Sequence, residues 1–440
     1  MKGRDLADGF ALLVVAVNVM ACEAISQGGT GAVQGSPAGT LLPPAAVSCP
    51  NYSQPYGDAP ALLKMLSATT GWAKDGLRTT DGGLHWRKIS DPKLRADAVN
   101  SFQRQSEPPL YAEVYMDATH AWQGRSYVAT NSCFDHYTVS ATSDAGASWI
   151  ESAPITVDVP SGLTIVQVQM GFVDLQNGWL WFGVGQLQFD AGMQQGGTAT
   201  AGALFGTADG GAHWTLVSKI AVSSFGATAV QSCQSGFGPV AFASTAVGWI
   251  EVSCQKPEPE LLATHDGGHS WKVQLLPTGD ATCPCGASQL TVLDQTHALV
   301  DLYGTKSPSA VTLSTSDGGQ TWKVLPKFPN AGYVFVTDHV DANNFWAIVS
   351  APDWNKGQPT RDSLYRSSDG GASWTLVAAS LPFGYPVDAI AFGDATHGLV
   401  TQPANSTTGG PIGPGTEMLT TSDGGHTWTD ITPVIAPAAS

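Results

Sequence analysis

STSDGGQTW, residues 314–322, joins a short apolar run before it, AVTL, to another after it, KVL. Asp-Gly between short apolar runs is a strong signal for a β-hairpin. The same pattern, Ser/Thr-x-Asp-x-Gly-x-x-Trp, occurs seven times, at Asp81, Asp144, Asp209, Asp266, Asp317, Asp369 and Asp423. Intervals of roughly 50 to 65 residues between copies identify a structural repeat. Each copy therefore marks one unit of the fold.

A second motif precedes each copy and also ends in a tight turn before an apolar residue. It occupies residues 67–72, 117–122, 174–179, 244–249, 294–299, 341–346 and 394–399. Apolar runs flank both motifs, so each unit contains four short strands. Four antiparallel strands repeated seven times predict an all-β fold, a seven-bladed β-propeller.

The seven repeated Asp residues are expected to be structural. A short carboxylate at a hairpin turn can accept hydrogen bonds from the backbone of that turn. Glycine in the turn can adopt a positive φ without steric cost, and the final Trp is large enough to anchor the turn on the sheet. Seven copies spread around a ring also cannot gather at one catalytic point.

The N-terminal residues resemble an export signal. Residues 1–22 contain two basic residues, an apolar run and the ending VMAC, which resembles a bacterial lipobox with Cys22 as the lipidated residue. The other interpretation is an ordinary secretory signal. Residues 23–48, rich in Gly, Pro and Ala, are expected to form a flexible tether, and residues 49–440 a single propeller. We expect an exported protein, lipid-anchored at the outer face of the bacterial cytoplasmic membrane or at the cell surface.

Six cysteines remain if Cys22 carries lipid, an even number that suits disulfides in an oxidising compartment. They are Cys49, Cys133, Cys233, Cys254, Cys283 and Cys285. One pairing that we favour joins Cys49 to Cys133, and the other four pair within blades 4 and 5. A zinc site around residues 283–285 is the competing interpretation. We expect disulfides, with no metal and no cofactor.

Composition narrows the range of partners. The formal net charge is −16 with only 20 Lys and Arg residues, and no basic stripe is present, so nucleic acid is not expected as a partner. Contact with a membrane is expected only through the N-terminal anchor, and the chain is expected to be a monomer.

Loop length predicts which face of the ring is functional. In an up-and-down blade, the two repeated turns share one face, whereas the variable loops lie on the other. Exposed-looking aromatic and charged residues in these loops are the candidate binding residues: Tyr127, Phe134, Asp135, Tyr137, Trp354, Lys356 and Arg361. No catalytic residue is assigned.

The repeated phrase resembles the Asp-box, or BNR repeat. Its pairing with the upstream motif is similar to the photosystem II stability and assembly factor-like family of seven-bladed propellers, over residues 60–432. This resemblance implies a non-enzymatic binding or assembly protein, whose partner would be an envelope protein or a glycan. The family's arginine-rich patch is not recovered in this sequence.

The alternative is a glycoside hydrolase, because Asp-box propellers also include sialidases and xyloglucanase-type enzymes. A sialidase needs three convergent arginines, and three lie on the predicted loop face: Arg104, Arg125 and Arg361. Loop-face carboxylates are also present at Asp135, Asp190, Asp353 and Asp362. Xyloglucanase-type enzymes use a cleft between two propellers, and only one propeller is encoded here.

Overall fold

The computed structural model describes residues 63–89, 91, 111–127, 136–160, 163–190, 193–225, 236–252, 260–277, 285–304, 307–326, 334–349, 362–382, 387, 389–403 and 416–436. All of them belong to one compact unit, Val47–Ser440. The predicted signal and tether, residues 1–48, lie outside the described residues.

Seven sheets follow one another along the chain, each with a core of consecutive antiparallel strands. Blade 1 contains β1 (Leu63–Met65), β2 (Gly71–Ala73), β3 (Leu77–Thr79) and β4 (His85–Lys88). Blade 2 contains β5 (Tyr111–Tyr115), β6 (Ala121–Tyr127), β7 (His136–Thr142), β8 (Ile150–Glu151) and β9 (Ile155–Thr156). Blade 3 contains β10 (Thr164–Phe172), β11 (Gly178–Asp190), β12 (Met193–Thr207) and β13 (Thr215–Ala221).

The remaining blades repeat the four-stranded order. Blade 4 contains β14 (Phe237–Phe242), β15 (Gly248–Val252), β16 (Glu260–Thr264) and β17 (Lys272–Leu275). Blade 5 contains β18 (Cys285–Val292), β19 (Ala298–Gly304), β20 (Ser307–Thr315) and β21 (Lys323–Val324). Blade 6 contains β22 (Val334–His339), β23 (Phe345–Val349), β24 (Ser363–Ser367) and β25 (Thr375–Ala378). Blade 7 contains β26 (Ala389–Phe392), β27 (Gly398–Pro403), β28 (Thr416–Thr421) and β29 (Thr429–Ile431), and β30 (Val434–Ala436) follows it. The predicted all-β, seven-bladed propeller is confirmed.

The ring closes between blades 7 and 1. Strand β1 contacts β26, so the innermost strands of the first and last blades are neighbours. Buried side chains of both blades form one apolar cluster, in which Leu63 and Met65 of blade 1 join Leu399 and Met418 of blade 7. The core of the fold lies in spaces of this kind between adjacent blades, where each sheet buries both of its faces.

An additional strand reinforces this closure. After blade 7 is complete, β30 lies parallel to β4, the outermost strand of blade 1, with Ile435 opposite Trp86. The amide of Val434 donates to the carbonyl of Leu84 at 2.9 Å. The sequence repeat ends with the fourth strand of blade 7 and does not predict this additional strand.

Both repeated turns lie on the same face of the ring. In blade 1 the amide of Gly82, in the Asp turn, donates to the carbonyl of Thr69, in the turn between β1 and β2, at 2.9 Å. The same bond occurs in every other blade, as Ala145–Thr119, Gly210–Gln176, Gly267–Ala246, Gly318–Thr296, Gly370–Asn343 and Gly424–Thr396. We call this side the turn face, and the opposite side, where the second and third strands of each blade are connected, the loop face.

Candidate functional site

In the Asp turns, the Asp carboxylate accepts hydrogen bonds from other residues of the same turn. In the turn at 314–322, the Thr315 hydroxyl donates to Asp317 Oδ1 at 2.8 Å, and the amide of Thr321 donates to the same oxygen at 2.9 Å. The Thr321 hydroxyl donates to Asp317 Oδ2 at 2.6 Å. These bonds from Thr321, with the bond from Thr315, lower the pKa of Asp317 to about 2. A carboxylate bound and ionised in this way cannot supply a proton near neutral pH.

The other six turns have the same internal bond between the first and third residues of the pattern. It joins Thr79–Asp81, Thr142–Asp144, Thr207–Asp209, Thr264–Asp266, Ser367–Asp369 and Thr421–Asp423 at 2.8 to 3.0 Å. Both glycines of each turn have positive φ, and blade 2 alone has Ala145 at φ 59° in the first position. All seven carboxylates therefore accept hydrogen bonds within their turns on the turn face.

Tyr137 was predicted as an exposed binding residue, and this prediction is wrong. Its side chain is only 1% exposed, and its ring packs edge-on against Phe182 of blade 3, with centroids 5.2 Å apart. Gly124, on the adjacent strand β6, makes room for it, because a Cβ there would lie 2.4 Å from the Tyr137 hydroxyl. Tyr137 belongs to the core between blades 2 and 3.

The structure does not place the other candidate binding side chains. Tyr127 ends strand β6, and nothing beyond its backbone position is described. Phe134, Asp135, Trp354, Lys356 and Arg361 lie outside the described residues, as do six of the cysteines, and Cys285 is described only as the first residue of β18. The predicted binding surface and disulfides therefore stay predictions.

Of the three arginines considered for a sialidase-like site, only Arg125 is described. It lies on β6, and its guanidinium Nη2 donates to Glu151 Oε1 of the same blade at 2.9 Å. The Arg125 side chain is 12% exposed. Arg125 and Glu151 therefore form an ion pair within blade 2, which we interpret as structural.

Buried carboxyl groups occur in the spaces between blades 4, 5 and 6. Glu251 on β15 lies opposite Leu261, which is part of the apolar cluster between blades 4 and 5. Directly opposed residues of antiparallel strands share a face, so Glu251 points into that space. Asp301 on β19 alternates with Val300 and therefore points to the other side, toward blade 6. Burial raises the pKa of both groups, that of Asp301 to about 6.

Strand β14 has a β-bulge or similar irregularity next to Glu251. The register between β14 and β15 shifts between Phe237 and Val240, so that Gly238 lies beside the Glu251 side chain. A Cβ on Gly238 would come within 2.8 Å of the Glu251 carboxyl carbon. Oε2 of Glu251 has no hydrogen-bond partner in the part of the chain that the structure describes. Bulges of this kind redirect side chains and are enriched next to active sites.

Of the four carboxylates that the sequence places on the loop face, only Asp362 has a side chain that the structure describes. It directly precedes β24, and it is fully buried. Neither carboxyl oxygen has a hydrogen-bond partner among the described residues, and burial raises its pKa to about 6. With this pKa, Asp362 keeps its proton up to about pH 6, well above the range of an ordinary aspartate, and a raised pKa of this kind is typical of a general acid.

Another carboxyl group with a raised pKa, Asp338, lies on the innermost strand β22. Asp338 Oδ2 accepts a hydrogen bond from the amide of Phe392 in blade 7 at 2.6 Å. Burial raises the pKa of Asp338 to about 6, against the opposing effects of this bond and of Lys64. The next residue, His339, packs edge-on against Phe345, and burial lowers its pKa to about 4. Because Asp338 is hydrogen-bonded across the blade boundary, it connects blades 6 and 7.

Glu251, Asp301 and Asp338 were not predicted from the sequence as buried carboxyl groups. The available signal was a single acidic letter in an otherwise apolar strand, as in GWIEV at 248–252 and ALVDL at 298–302. Among the described residues, no group of His, Cys, Asp and Glu is arranged to hold a metal ion. Within the same ranges, no helix has the length and apolar character needed to cross a membrane.

Comparison with known proteins gives partial matches. No family model matches the chain. A xyloglucanase from Paenibacillus sp is 30% identical over 221 residues, which cover 44% of this chain and 20% of the relative. Xyloglucanase Xgh74A from Acetivibrio thermocellus is 26% identical over 134 residues, 27% of this chain and 16% of the relative. The chain thus spans one fifth or less of the curated relatives that it matches.

Solved structures with similar architecture include two of the types considered above. The GH74 xyloglucanase from Xanthomonas campestris has a TM-score of 0.47 and 15% identity, covering 82% of this chain and 52% of that one. YCF48 from Cyanidioschyzon merolae has a TM-score of 0.42 and 13% identity, covering 73% of this chain and 84% of that one.

The expectation of a non-enzymatic binding or assembly propeller is wrong. The curated relatives matched by sequence are named xyloglucanases, which favours the alternative interpretation of a glycan-processing enzyme. The Asp turn could not distinguish the two, because its polar side chains bond within the turn itself.

Proposed function

We propose that this chain is an Asp-box propeller of the glycoside hydrolase class that acts on a polysaccharide. The observation that carries this proposal is the 221-residue match, at 30% identity, to the Paenibacillus xyloglucanase. Xyloglucan is therefore the first substrate to test. The sialidase-like variant is less favoured, because Arg125 is already paired with Glu151.

The chemistry is assigned to the loop face. On the turn face, all seven repeated carboxylates accept hydrogen bonds within their turns, and the pKa of Asp317, for example, is about 2. An acid catalyst near neutral pH needs a carboxyl whose pKa is raised instead. Asp362 meets this condition at the start of β24, directly after the long loop between the second and third strands of blade 6.

We assign Asp362 as the general acid. Its carboxyl would donate a proton to the glycosidic oxygen as the bond to the sugar breaks. Glycoside hydrolysis uses a second carboxylate as nucleophile or base. The sequence offers Asp135, Asp190 and Asp353 for this role.

The test is release of reducing sugar from soluble xyloglucan by the full chain. We expect Asp362→Asn to lower kcat by about 10² to 10⁴, the usual contribution of a general acid, without loss of thermal stability. Asp430→Asn, at an exposed carboxylate on the outer strand β29, is the control and should leave kcat within twofold. The same assay on Asp135→Asn, Asp190→Asn and Asp353→Asn identifies the second carboxylate.

Two results would contradict this assignment. If the wild-type chain releases no sugar from xyloglucan or from other β-glucans, the proposed activity fails. If Asp362→Asn keeps full activity, the activity stands and the acid is another residue.

Export, a lipid anchor at Cys22, disulfides among the other six cysteines and a monomeric state are further parts of the proposal. They rest on the sequence patterns at residues 1–22 and on cysteine parity. An extracytoplasmic location would place the enzyme where polysaccharide is encountered.

A further inference from the structure

Trp72 and Trp122, each near the start of a second strand, contact the next blade in the same way. In blade 1, Trp72 donates its indole N–H to the carbonyl of Asp117 in blade 2 at 2.9 Å and stacks on Tyr115, with centroids 4.7 Å apart. In blade 2, Trp122 donates to the carbonyl of Gly210 in blade 3 at 2.7 Å and stacks on Phe172 at 3.8 Å. Each ring thus fills the space beneath the turns of the next blade.

Trp179 of blade 3 differs from Trp72 and Trp122, and it shares the lack of an indole hydrogen bond among the described residues with Trp346 of blade 6. Its ring centroid lies 5.9 Å from that of Phe242 in blade 4, and the two rings are tilted by 40°. Within the described ranges, its indole N–H makes no bond like those of Trp72 and Trp122. The Trp179 ring instead lies against Gly171 on the inner strand of its own blade, so close that a Cβ at position 171 would be only 2.6 Å from the ring. A residue with a side chain at position 171 would therefore exclude the ring from this place.

A cleft on the turn face lies between blades 3 and 4. Its volume is about 140 Å³, and its apolar wall includes Trp179, Val217 and Phe242. A cavity of about 150 Å³ holds benzene, so a cleft of this volume can cover one face of a six-membered ring but does not enclose a whole pyranose with its hydroxyl groups. Asn177 and Thr245 contribute polar groups to its lining.

Hydrogen bonds orient the polar groups of the cleft. Asn177 Nδ2 donates to both carboxylate oxygens of Asp174, at 3.0 and 2.9 Å, which leaves its Oδ1 as an acceptor. Ser244 Oγ accepts the amides of Ala246 and Val247, so the turn that carries Thr245 is held in place. Every residue lining the cleft is uncharged. A ring with apolar faces and uncharged hydroxyl groups matches an aromatic wall with polar groups at its edge.

We propose that this cleft binds one neutral pyranose ring, stacked on Trp179, as a glycan-binding site on the face opposite the loops. The choice of a sugar over another six-membered ring rests on the proposed function. The absence of charge in the lining excludes sugar acids as the preferred ligand. The site would hold part of a polysaccharide while the chemistry takes place on the loop face.

The test is titration of the full chain with methyl β-D-glucopyranoside, followed by ligand-observed NMR and calorimetry. We expect a dissociation constant in the millimolar range, typical of a single small ring. Thr245→Phe places a bulky ring at the edge of the cleft and should weaken binding at least tenfold. Gln295→Phe makes the same change at the equivalent turn position of blade 5 and should leave binding unchanged.

Trp179→Phe provides a second variant that keeps an aromatic side chain and should weaken binding severalfold. Absence of binding to the wild type, or equal loss in Thr245→Phe and Gln295→Phe, would overturn the site. Binding of indole but not of the glucoside would overturn the assignment to a sugar. Binding of the glucoside without hydrolysis of xyloglucan would refute the proposed activity and leave the cleft standing, and hydrolysis without binding would do the reverse.

Discussion

Asp301→Asn is expected to stabilise the folded protein, and to do so mainly above pH 6. Asp301 is 9% exposed, and the Thr312 hydroxyl donates to its Oδ1 at 2.6 Å. Burial raises its pKa from 3.8 to about 6. The folded state therefore holds this proton more tightly than the unfolded state does. Stability is lost as the pH rises from about 4 to about 6 and stays lost above that range.

The size of the effect follows from the two pKa values. A rise of about 2 pH units at 1.36 kcal/mol each means that the ionised carboxylate costs about 3 kcal/mol at pH 8. At pH 4.5 the cost is only about 1 kcal/mol, because most of the folded molecules keep the proton. Asparagine has no charge to bury, and its Oδ1 can still accept the bond from Thr312. The variant should thus gain about 3 kcal/mol at pH 8 and about 1 kcal/mol at pH 4.5.

Urea unfolding followed by tryptophan fluorescence, at both pH values, measures this difference. The control is Asp430→Asn, which changes an exposed carboxylate and should move the free energy of unfolding by less than about 0.5 kcal/mol. A gain of the same size at pH 4.5 and pH 8 would show that ionisation of Asp301 is not the cause. A less stable variant at pH 8 would refute the reasoning outright.

Two further changes test the repeated turn and the ring closure. Ala145→Gly should raise stability by about 1 kcal/mol, because Ala145 alone occupies at φ 59° a position that is glycine in the other turns; an unchanged melting temperature would show that the turn carries no strain there. Removing residues 432–440 should cost about 1 to 3 kcal/mol through the lost backbone bonds of β30, whose side chains are exposed. A shortened chain with the same urea midpoint would mean that packing of blade 7 on blade 1 closes the ring unaided.

The blade architecture was predictable from sequence because each turn is a local structure. The Thr–Asp bond and the positive φ of two glycines involve residues within a few positions of one another, so the same letters recur in every blade. Seven copies then define the number of blades and the face on which the turns lie.

The incorrect predictions depended on contacts between strands that are distant in the sequence. Tyr137 follows a long loop and looks exposed, but Gly124 on the neighbouring strand provides the space that buries it. Glu251 is likewise accommodated by Gly238 at an irregularity of the inner strand. Such pairings become visible only when the register of the strands is known.

The function was misjudged for a different physical reason. The resemblance to the assembly-factor family rests on turns whose polar side chains form hydrogen bonds within the same turn. Such turns stabilise the blade and do not indicate whether the protein is an enzyme. Asp362 was named as a loop-face carboxylate, but its burial could not be read from the sequence. Burial is the property that separates a candidate acid from an ordinary loop carboxylate.

The way in which the ring closes affects how the chain could be rearranged. Each of the seven blades takes its four strands from one uninterrupted stretch of sequence, and β30 is added to the outside of blade 1. Only β30 crosses from the last blade to the first, and the four antiparallel strands of every blade remain together. A gene opened at another blade boundary would still encode seven whole blades. Circular permutation, and gain or loss of a single blade by duplication or deletion, are thus compatible with the four-stranded blades, and only the pairing of β30 with β4 depends on the present order of the blades.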